Sequence, residues 1–236
     1  MLMSYLNIAG YQFTPFHDCA TLRANLLAEC QTLGLMGTIL ISPEGINLSL
    51  AGEVPAIRRF QARLHQEPGL ENMWFHESYS DFVPFMRLKV KLKKEIITLR
   101  MPSTTPNEAT RAKALAPHVL KQWLDEGRDI TLLDTRNDYE IQAGAFKGAL
   151  NPKVDHFTQL PAAVSGLDKK KPVVMYCTGG IRCEKASLMM EQQGFEEVYQ
   201  LDGGILGYFA KVGGAHYEGR CFVFDERVAL DPALAC

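Results

Sequence analysis

The sequence predicts an α/β protein built from two domains, and three observations support that prediction. In the first hundred residues, strands and helices follow the order βαββαβ, which is typical of a ferredoxin-like α+β domain. In the second half, apolar runs are followed by helices, a pattern that indicates a parallel sheet flanked by helices. Between the two, MPSTTPN at 101–107 has two prolines and three hydroxyl residues, which is the composition of a linker.

The elements of the first domain follow from the spacing of apolar residues and from the turn residues between the runs. The predicted strands are 5–13, 36–42, 47–50, 73–78 and 85–93, and the predicted helices are 18–33 and 54–65. The segment from Glu44 to Asn47 is predicted to form a tight hairpin turn. We place this ferredoxin-like, or acylphosphatase-like, domain at residues 1–100 and the linker at 101–112.

The elements of the second domain alternate between helix and strand. A helix includes residues 121–124, and a strand is predicted at 130–133. A second strand at 172–176 precedes a helix at 184–193, whose apolar residues are spaced for packing on a sheet. We place this domain at residues 113–215 and a C-terminal extension at 216–236.

Length and composition favour a soluble cytoplasmic protein. The chain has 236 residues, of which 47% are hydrophobic, enough for two separate cores. The amino terminus lacks the pattern of a signal peptide and no apolar run approaches ~18 residues, so no membrane association is predicted. The six cysteines are too scattered for a disulfide framework, and we expect free thiols.

The segment CTGGIRCE at 177–184 joins a strand to a helix and is the strongest signal for chemistry in the sequence. Cys177 follows the apolar strand directly, at the sheet edge where open α/β sheets bind ligands. Gly179 and Gly180 allow backbone N–H groups to turn towards one point, as in an anion-binding nest. These amides, the helix N-terminus and Arg182 favour a thiolate, so we predict that Cys177 is a nucleophile with a lowered pKa.

The spacing within this loop separates two chemistries. Four residues lie between Cys177 and Arg182, whereas cysteine phosphatases use a longer loop that accommodates a tetrahedral phosphate. A persulfide sulfur on Cys177 needs less space, so sulfur chemistry is favoured over phosphoryl transfer. Cys183 either resolves an oxidised Cys177 or only caps the loop. Arg182 either binds an anion or braces the loop.

Asp134 and Arg136 follow another predicted strand and reach the same sheet edge if the two strands are adjacent. For Asp134, a buried ion pair or a loop cap is the favoured interpretation. Arg136 has the stronger case for a functional role. Both residues are therefore predicted to support the site around Cys177.

A basic stripe is the local signal for nucleic acid, because a net charge of -2 gives no global attraction. Arg87, Lys89, Lys91 and Lys93 alternate with apolar residues, so they share one strand face and could lie along phosphates. Lysines also guard edge strands against aggregation, and the charge pattern alone does not decide between the two interpretations. Three helical arginines add positive charge nearby in sequence: Arg58, Arg59 and Arg63.

The sequence gives no sign of a metal site or of a dinucleotide cofactor. Its six histidines are dispersed, and no HxxxH or CxxC pair occurs. Gly203 and Gly204 stand without the rest of a G-x-G-x-x-G fingerprint. No metal, flavin or nicotinamide is therefore predicted.

Three separated motifs agree on one family resemblance. The loop CTGGIRCE, the segment LLDTRNDYEIQAGAFKGALN at 132–151 and the segment LDGGILGYF at 201–209 occur in the order found in the rhodanese family. Residues 113–215 therefore resemble a rhodanese domain. The resemblance implies an active-site loop made of Cys177, Thr178, Gly179, Gly180, Ile181, Arg182 and Cys183.

Further features narrow the resemblance. Cys183 stands where rhodaneses commonly have a hydroxyl residue, RCFVFDERV follows at 220–228, and ISPEGINLSLAG occupies 41–52. Together these resemble the bacterial rhodanese-domain proteins that convert the wobble uridine of tRNA to 5-hydroxyuridine with molecular oxygen. The resemblance implies that Cys177 is catalytic and able to form a persulfide, that oxygen is a co-substrate and that the tRNA anticodon region is the partner. It carries no signal for an oligomeric state.

Other readings stay open on the residues alone. A plain sulfurtransferase would take sulfane sulfur onto Cys177 and pass it to a nucleophilic acceptor. An interaction module without catalysis suits domains that lack the cysteine, which is present here. The basic stripe and the extra amino-terminal domain favour RNA. Family members often continue into a cysteine-containing tail, whereas this sequence stops at Ala235 and Cys236, so a redox cysteine or metal held in such a tail would lie outside it.

Overall fold

The computed structural model describes residues 5–101, 103–107, 110 and 113–236. Packing divides the chain into two compact units. The first holds the described residues up to Thr98 together with 225–227 and 235, and the second holds the described residues of 99–224, 228–234 and 236. Part of the predicted linker, residues 102, 108–109 and 111–112, lies outside the described residues.

The first unit is a five-stranded sheet with two helices. The elements are β1 (Tyr5–Phe13), α1 (Cys19–Thr32), β2 (Met36–Ser42), β3 (Gly45–Glu53), α2 (Val54–Leu64), β4 (His76–Ser80) and β5 (Leu88–Leu92). The strand order is β4-β1-β3-β2-β5, in which β5 runs parallel to β2 and the other pairs are antiparallel. The predicted ferredoxin-like arrangement is confirmed, with β5 added at one edge.

The core of the first unit lies on one face of this sheet. Alternate residues such as Leu6, Ile39 and Leu48 are buried there and belong to the same apolar cluster as Leu26 of α1 and Phe60 of α2. Both helices therefore cover the same face. Helix α1 starts after Asp18, whose carboxylate accepts a hydrogen bond from the amide of Thr21 at 3.0 Å.

The bounds of three strands of the first unit differ from the prediction: β5 covers Leu88–Leu92 rather than 85–93, β3 extends to Glu53 rather than to residue 50, and β3 and β4 start at different residues. Strand β3 starts at Gly45 rather than at residue 47, because Pro43 and Glu44 alone separate it from β2. The predicted hairpin turn is therefore shorter than expected. Strand β4 covers His76–Ser80 rather than 73–78, because the amide of Met73 bonds to the carbonyl of Leu70 in a turn.

The second unit contains a parallel sheet of four strands in the order β6-β10-β9-β7. Its elements are β6 (Lys113–Leu115), α3 (Pro117–Asp125), β7 (Thr131–Asp134), α4 (Asp138–Ile141), β8 (Gly144–Phe146), a 3₁₀ helix (Phe157–Gln159), α5 (Leu160–Ala163), β9 (Val173–Tyr176), α6 (Ile181–Gln192), β10 (Val198–Leu201), α7 (Gly204–Val212), β11 (Tyr217–Gly219), β12 (Cys221–Phe222) and β13 (Ala229–Leu230). β8 pairs with β11 and β12 with β13, both antiparallel. The predicted parallel sheet flanked by helices is confirmed.

Helices pack on the parallel sheet in two groups. Val174 and Tyr176 of β9 belong to one cluster with Leu120 of α3 and Ile205 of α7. Helix α6 packs on β9 and β10 and also against α5. Among the described residues, no helix combines the length and the apolar character that a bilayer span requires.

Helix α6 starts at Ile181 and not at residue 184 as predicted. Gly180 caps it with φ +104°, a left-handed conformation that turns the chain into the helix within a short loop. Arg182 and Cys183 consequently lie in the first turn of α6 rather than in the loop before it.

Candidate active site

Cys177 lies at the carboxyl end of β9, which is an inner strand of the parallel sheet, between β10 and β7. The residue is only 1% exposed. The amide of Gly180 donates a hydrogen bond to its Sγ at 3.1 Å. The glycine turn between β9 and α6 thus directs a backbone N–H and the positive end of the α6 dipole at the Sγ of Cys177.

The environment of Cys177 favours the thiolate. Burial alone would raise the pKa of this thiol, but a hydrogen bond from Cys183, the charge of Arg182 and the amides of Arg182 and Gly180 together lower the pKa to about 5. The predicted lowering of the pKa is therefore found. At neutral pH the sulfur is a soft anionic nucleophile, which can attack an electrophile, take up sulfane sulfur or accept an oxygen atom.

Cys183 is the second buried thiol of the site. Its side chain hydrogen-bonds to Cys177, and Thr135 Oγ1 lies 3.6 Å from its Sγ. Burial, followed by the interaction with the Cys177 thiolate, raises the pKa of Cys183 well above its ordinary value. Cys183 is therefore the protonated partner that donates to Cys177. Both predicted roles, loop cap and resolving thiol, fit this position.

The guanidinium of Arg182 forms a bidentate ion pair with one carboxylate. Its Nη1 and Nη2 donate to Glu140 Oε2 and Oε1 at 2.6 and 2.7 Å, and both residues are buried. Burial alone would lower the pKa of Arg182, but the pair with Glu140 raises it, so the cation persists. Of the two predicted roles, the geometry favours a brace that keeps positive charge beside the thiolate.

Asp134 and Arg136 form a second buried ion pair at the end of β7. Arg136 Nη2 donates to Asp134 Oδ2 at 2.6 Å and to the carbonyl of Gly144 at 2.7 Å, and neither charged residue is exposed. This arrangement matches the prediction for Asp134. The fully buried guanidinium of Arg136, which holds Asp134 and a backbone carbonyl, favours an internal brace, and its role at the site stays a prediction.

The start of α7 holds the loop from behind and was not recognised from the sequence as part of the site. The amides of Ile205 and Leu206 donate to the carbonyls of Cys177 and Thr178 at 2.9 and 3.0 Å. Gly204 packs so closely that a Cβ there would lie 2.5 Å from the Cys177 carbonyl oxygen. Gly204, which belongs to the rhodanese-like motif LDGGILGYF, therefore has a packing role at the loop.

Glu140, Thr135 and Cys221 are further site residues that the sequence did not single out. Glu140 lies inside the rhodanese-like segment at 132–151, whose sequence alone gives this residue no separate role. Cys221 is fully buried near the loop, and burial raises its pKa to about 12, so it is an unreactive neighbour of the Cys177 thiolate. Phe222 follows Cys221 in the chain, and its carbonyl accepts a hydrogen bond from Thr178 Oγ1 at 3.5 Å.

The basic stripe lies in the first unit, with Lys89 and Lys91 on the edge strand β5 and Arg87 and Lys93 directly before and after it. Arg87, Lys91 and Lys93 are exposed and Lys89 is half-buried, whereas Val90 faces the core. Lys89 and Lys91, the stripe residues within β5, therefore lie on the sheet face opposite α1 and α2. On α2 itself, Arg58 pairs with Glu77 and Arg63 with Glu67, so these arginines do not extend the stripe.

Within the described residues, no three His, Cys, Asp or Glu side chains group as a metal site would require. The donors that face Cys177 are amides, a guanidinium and a thiol, a set suited to an anion.

Comparisons with known proteins agree with both units. Residues 5–96 match the UPF0176 acylphosphatase like domain, and residues 116–211 match the Rhodanese-like domain. A rhodanese-like domain from Anabaena sp. is 29% identical, with a TM-score of 0.39, over 45% of this chain and 78% of that chain.

Relatives of similar length are found over nearly the whole sequence. Proteins called "tRNA uridine(34) hydroxylase" are 48% identical in Cupriavidus taiwanensis, 49% in Bordetella petrii and 49% in Variovorax paradoxus. The matches cover 98, 98 and 99% of this chain and 85, 94 and 92% of the respective relatives. Similarity thus extends through both units and the segment after them.

Proposed function

We propose that this chain, which belongs to the tRNA uridine(34) hydroxylase family, hydroxylates the wobble uridine of tRNA at position 34 to 5-hydroxyuridine. The observation that supports this most directly is identity of 48–49% to proteins of that name over 98% or more of the chain. The chain is accordingly an oxidoreductase that modifies tRNA. We further propose that the co-substrates are molecular oxygen and a two-electron reductant, so that one oxygen atom enters the uridine and the other leaves as water. We also propose that the partner is the anticodon region and that the reaction takes place in the cytoplasm.

Cys177 is the proposed catalytic group. Its pKa of about 5 makes it a thiolate at neutral pH, and it is the nucleophile that the loop surrounds with donors. The amide of Gly180 and the charge of Arg182 stabilise the anion, and Glu140 keeps Arg182 in place. Thr178, Gly179 and the other loop residues are proposed to shape the approach to the sulfur.

The substrate fits the chemistry of such a site. A wobble base lies in a single-stranded loop, so moving it out of its stack towards Cys177 costs less than extrusion from a duplex. The basic stripe on β5 is proposed to contact phosphates of the anticodon stem. Asp134 and Arg136 are proposed to support the loop from inside the fold.

The test is nucleoside mass spectrometry of undermodified tRNA after incubation with the protein, oxygen and a two-electron reductant. Wild type should produce 5-hydroxyuridine, and Cys177→Ser should lose activity by a factor on the order of 10⁴ or more while remaining folded. Cys19→Ser is the matched control, since this half-buried thiol lies in the first unit and burial raises its pKa. Full activity of folded Cys177→Ser would contradict the proposed role.

The same experiment addresses sulfur transfer, which the rhodanese-like match and the loop favour as a second function. 2-Thiouridine is measured in the same digests, and the protein is analysed for a persulfide after treatment with thiosulfate. A Cys177 persulfide without any 5-hydroxyuridine would replace the hydroxylase by a sulfurtransferase.

A further inference from the structure

Three aromatic rings form a contiguous strip on the surface of the second unit. The rings of Tyr139 and Phe222 lie 5.5 Å apart between centroids, and those of Phe222 and Phe224 lie 5.2 Å apart, both edge-to-face. Tyr139 is 48% and Phe224 62% exposed. We call these three residues the aromatic strip.

The local sequence places these rings outwards. From Cys221 to Phe224 the side chains alternate, with Cys221 and Val223 buried and Phe222 and Phe224 facing out. The inward residues provide the packing of this segment. Since the outward rings are not needed for that core, a run of exposed aromatic surface indicates a binding site.

The strip adjoins the candidate active site at two points. Tyr139 precedes Glu140, the residue that holds Arg182, on the short helix α4. The carbonyl of Phe222 accepts the hydrogen bond from Thr178, the residue that follows Cys177. A single ligand could therefore lie on the strip with one part while another part approaches the loop.

Positive charge lies near the strip at two places. Arg220 is exposed and precedes Phe222, the middle ring, by two residues. Near the Tyr139 end, Lys153 is 75% exposed and its Nζ lies 3.3 Å from Asp138, the residue before Tyr139. Aromatic rings bordered by cations are the combination that binds unpaired bases and the phosphates joining them.

We propose that the aromatic strip binds an unpaired nucleobase of the anticodon loop, adjacent to the uridine that is delivered to Cys177. The proposal rests on the proposed function, because it takes tRNA as the substrate. A uridine that leaves its stack exposes the faces of its neighbours, and aromatic side chains replace those lost stacking partners. The strip thus holds the loop open while the wobble base is modified.

The test measures binding of a fluorescent anticodon stem-loop RNA by fluorescence anisotropy, under conditions in which the RNA is not modified. Phe224→Ala and Phe224→Leu should each weaken binding by roughly tenfold, whereas Phe224→Trp should retain wild-type affinity because it keeps a stacking face. Binding of a blunt RNA duplex should be the same in all variants. Trp74→Ala is the control, since this ring is 58% exposed and lies in the first unit.

The outcomes separate this inference from the proposed function. Unchanged binding by Phe224→Ala, or wild-type binding by Phe224→Leu, would overturn base stacking even if the protein makes 5-hydroxyuridine. Wild-type protein that binds the stem-loop through Phe224 but makes no 5-hydroxyuridine would leave the strip intact and overturn the hydroxylase. A dimer that dissociates in Phe224→Ala, with RNA binding unchanged, would assign the strip to a second copy of the chain and also overturn the inference.

Discussion

The loop around Cys177 and the basic stripe on β5 are both segments that the sequence marks as functional, but they are built in opposite ways. The loop is buried, and its charge state depends on residues from other elements, including Glu140 on α4 and the amides at the start of α7. The stripe lies on an edge strand, with most of its side chains exposed. A reactive group inside a protein is thus a property of many residues, whereas a surface charge acts largely by itself.

The largest effect is expected where the loop depends on a buried charge. Glu140→Gln leaves the Arg182 cation buried beside a neutral amide, and it should lower the free energy of unfolding by about 3–5 kcal/mol. The measurement is denaturant unfolding. Glu126→Gln is the control, because Glu126 and Arg128 form an exposed pair whose loss should cost less than about 0.5 kcal/mol. Equal effects at the two sites would erase the contrast between buried and exposed charges.

The next effect concerns the contact from α7. Gly204→Ala places a methyl group 2.5 Å from the Cys177 carbonyl oxygen, so the loop must move, at a cost of about 1–3 kcal/mol. We expect loss of hydroxylase activity together with a lower melting temperature. Gly127→Ala is the matched control, since its φ of +63° resembles the +60° of Gly204 but no atom lies within 4 Å of the added Cβ. A similar loss in both variants would point to backbone strain alone.

Removing the donor from Cys183 should shift the pH dependence of the site. Cys183→Ala deletes a hydrogen bond to the Cys177 thiolate, which raises the pKa of Cys177 from about 5. Reactivity with a small alkylating agent should therefore fall, by up to about tenfold, at mildly acidic pH and stay unchanged at mildly alkaline pH. The pKa of Cys177 is measured as the midpoint of a pH titration of thiolate ultraviolet absorbance, with Cys177→Ser as the blank. A titration midpoint identical to that of wild type would show that Cys183 does not stabilise the Cys177 thiolate.

The lowered pKa of Cys177 also makes the free energy of unfolding depend on pH. The ordinary pKa of 9.0 for a cysteine lies above the folded value of about 5, so the unfolded chain binds the extra proton between these values. The stability contributed by the thiolate is full above pH 9.0 and is lost as the pH falls towards 5.

The smallest effect is expected at the stripe. The double variant Lys89→Gln, Lys91→Gln should weaken tRNA binding a few-fold and reduce the salt dependence of log Kd by about one per lost phosphate contact. Arg59→Gln on α2, which lies on the other side of the sheet, is the control. Unchanged tRNA binding with increased aggregation would identify the stripe as a guard of the edge strand.

The elements that the sequence predicts well are those whose signal is local. Alternation of apolar residues marks β1 and β5, and an apolar strand before CTGGIRCE marks the position of Cys177. The start of α6 was missed because it depends on the positive φ of Gly180, which several glycine turns could have produced. The limits of β4 were missed because Met73 and Phe75 are buried without belonging to a strand.

The partners of the site are harder to predict because they are distant in sequence. Glu140 lies 42 residues from Arg182, and no local spacing shows that the two meet. The burial of Arg136 is likewise a result of packing around β7 and Gly144, which a strand end alone does not reveal. The aromatic strip joins Tyr139 to Phe222 in the same way, through contacts between α4 and β12.

The two hydrogen bonds from α7 to the loop also set an order of events during synthesis. Cys177 leaves the ribosome well before Ile205 and Leu206, which hold its backbone in the finished fold. Until those residues are made and docked, the donors around the sulfur are not assembled, and the thiol keeps an ordinary acidity. A nascent or partly unfolded chain should therefore hold only a small fraction of thiolate at this cysteine at neutral pH, and the full thiolate fraction should appear only in molecules that have completed folding.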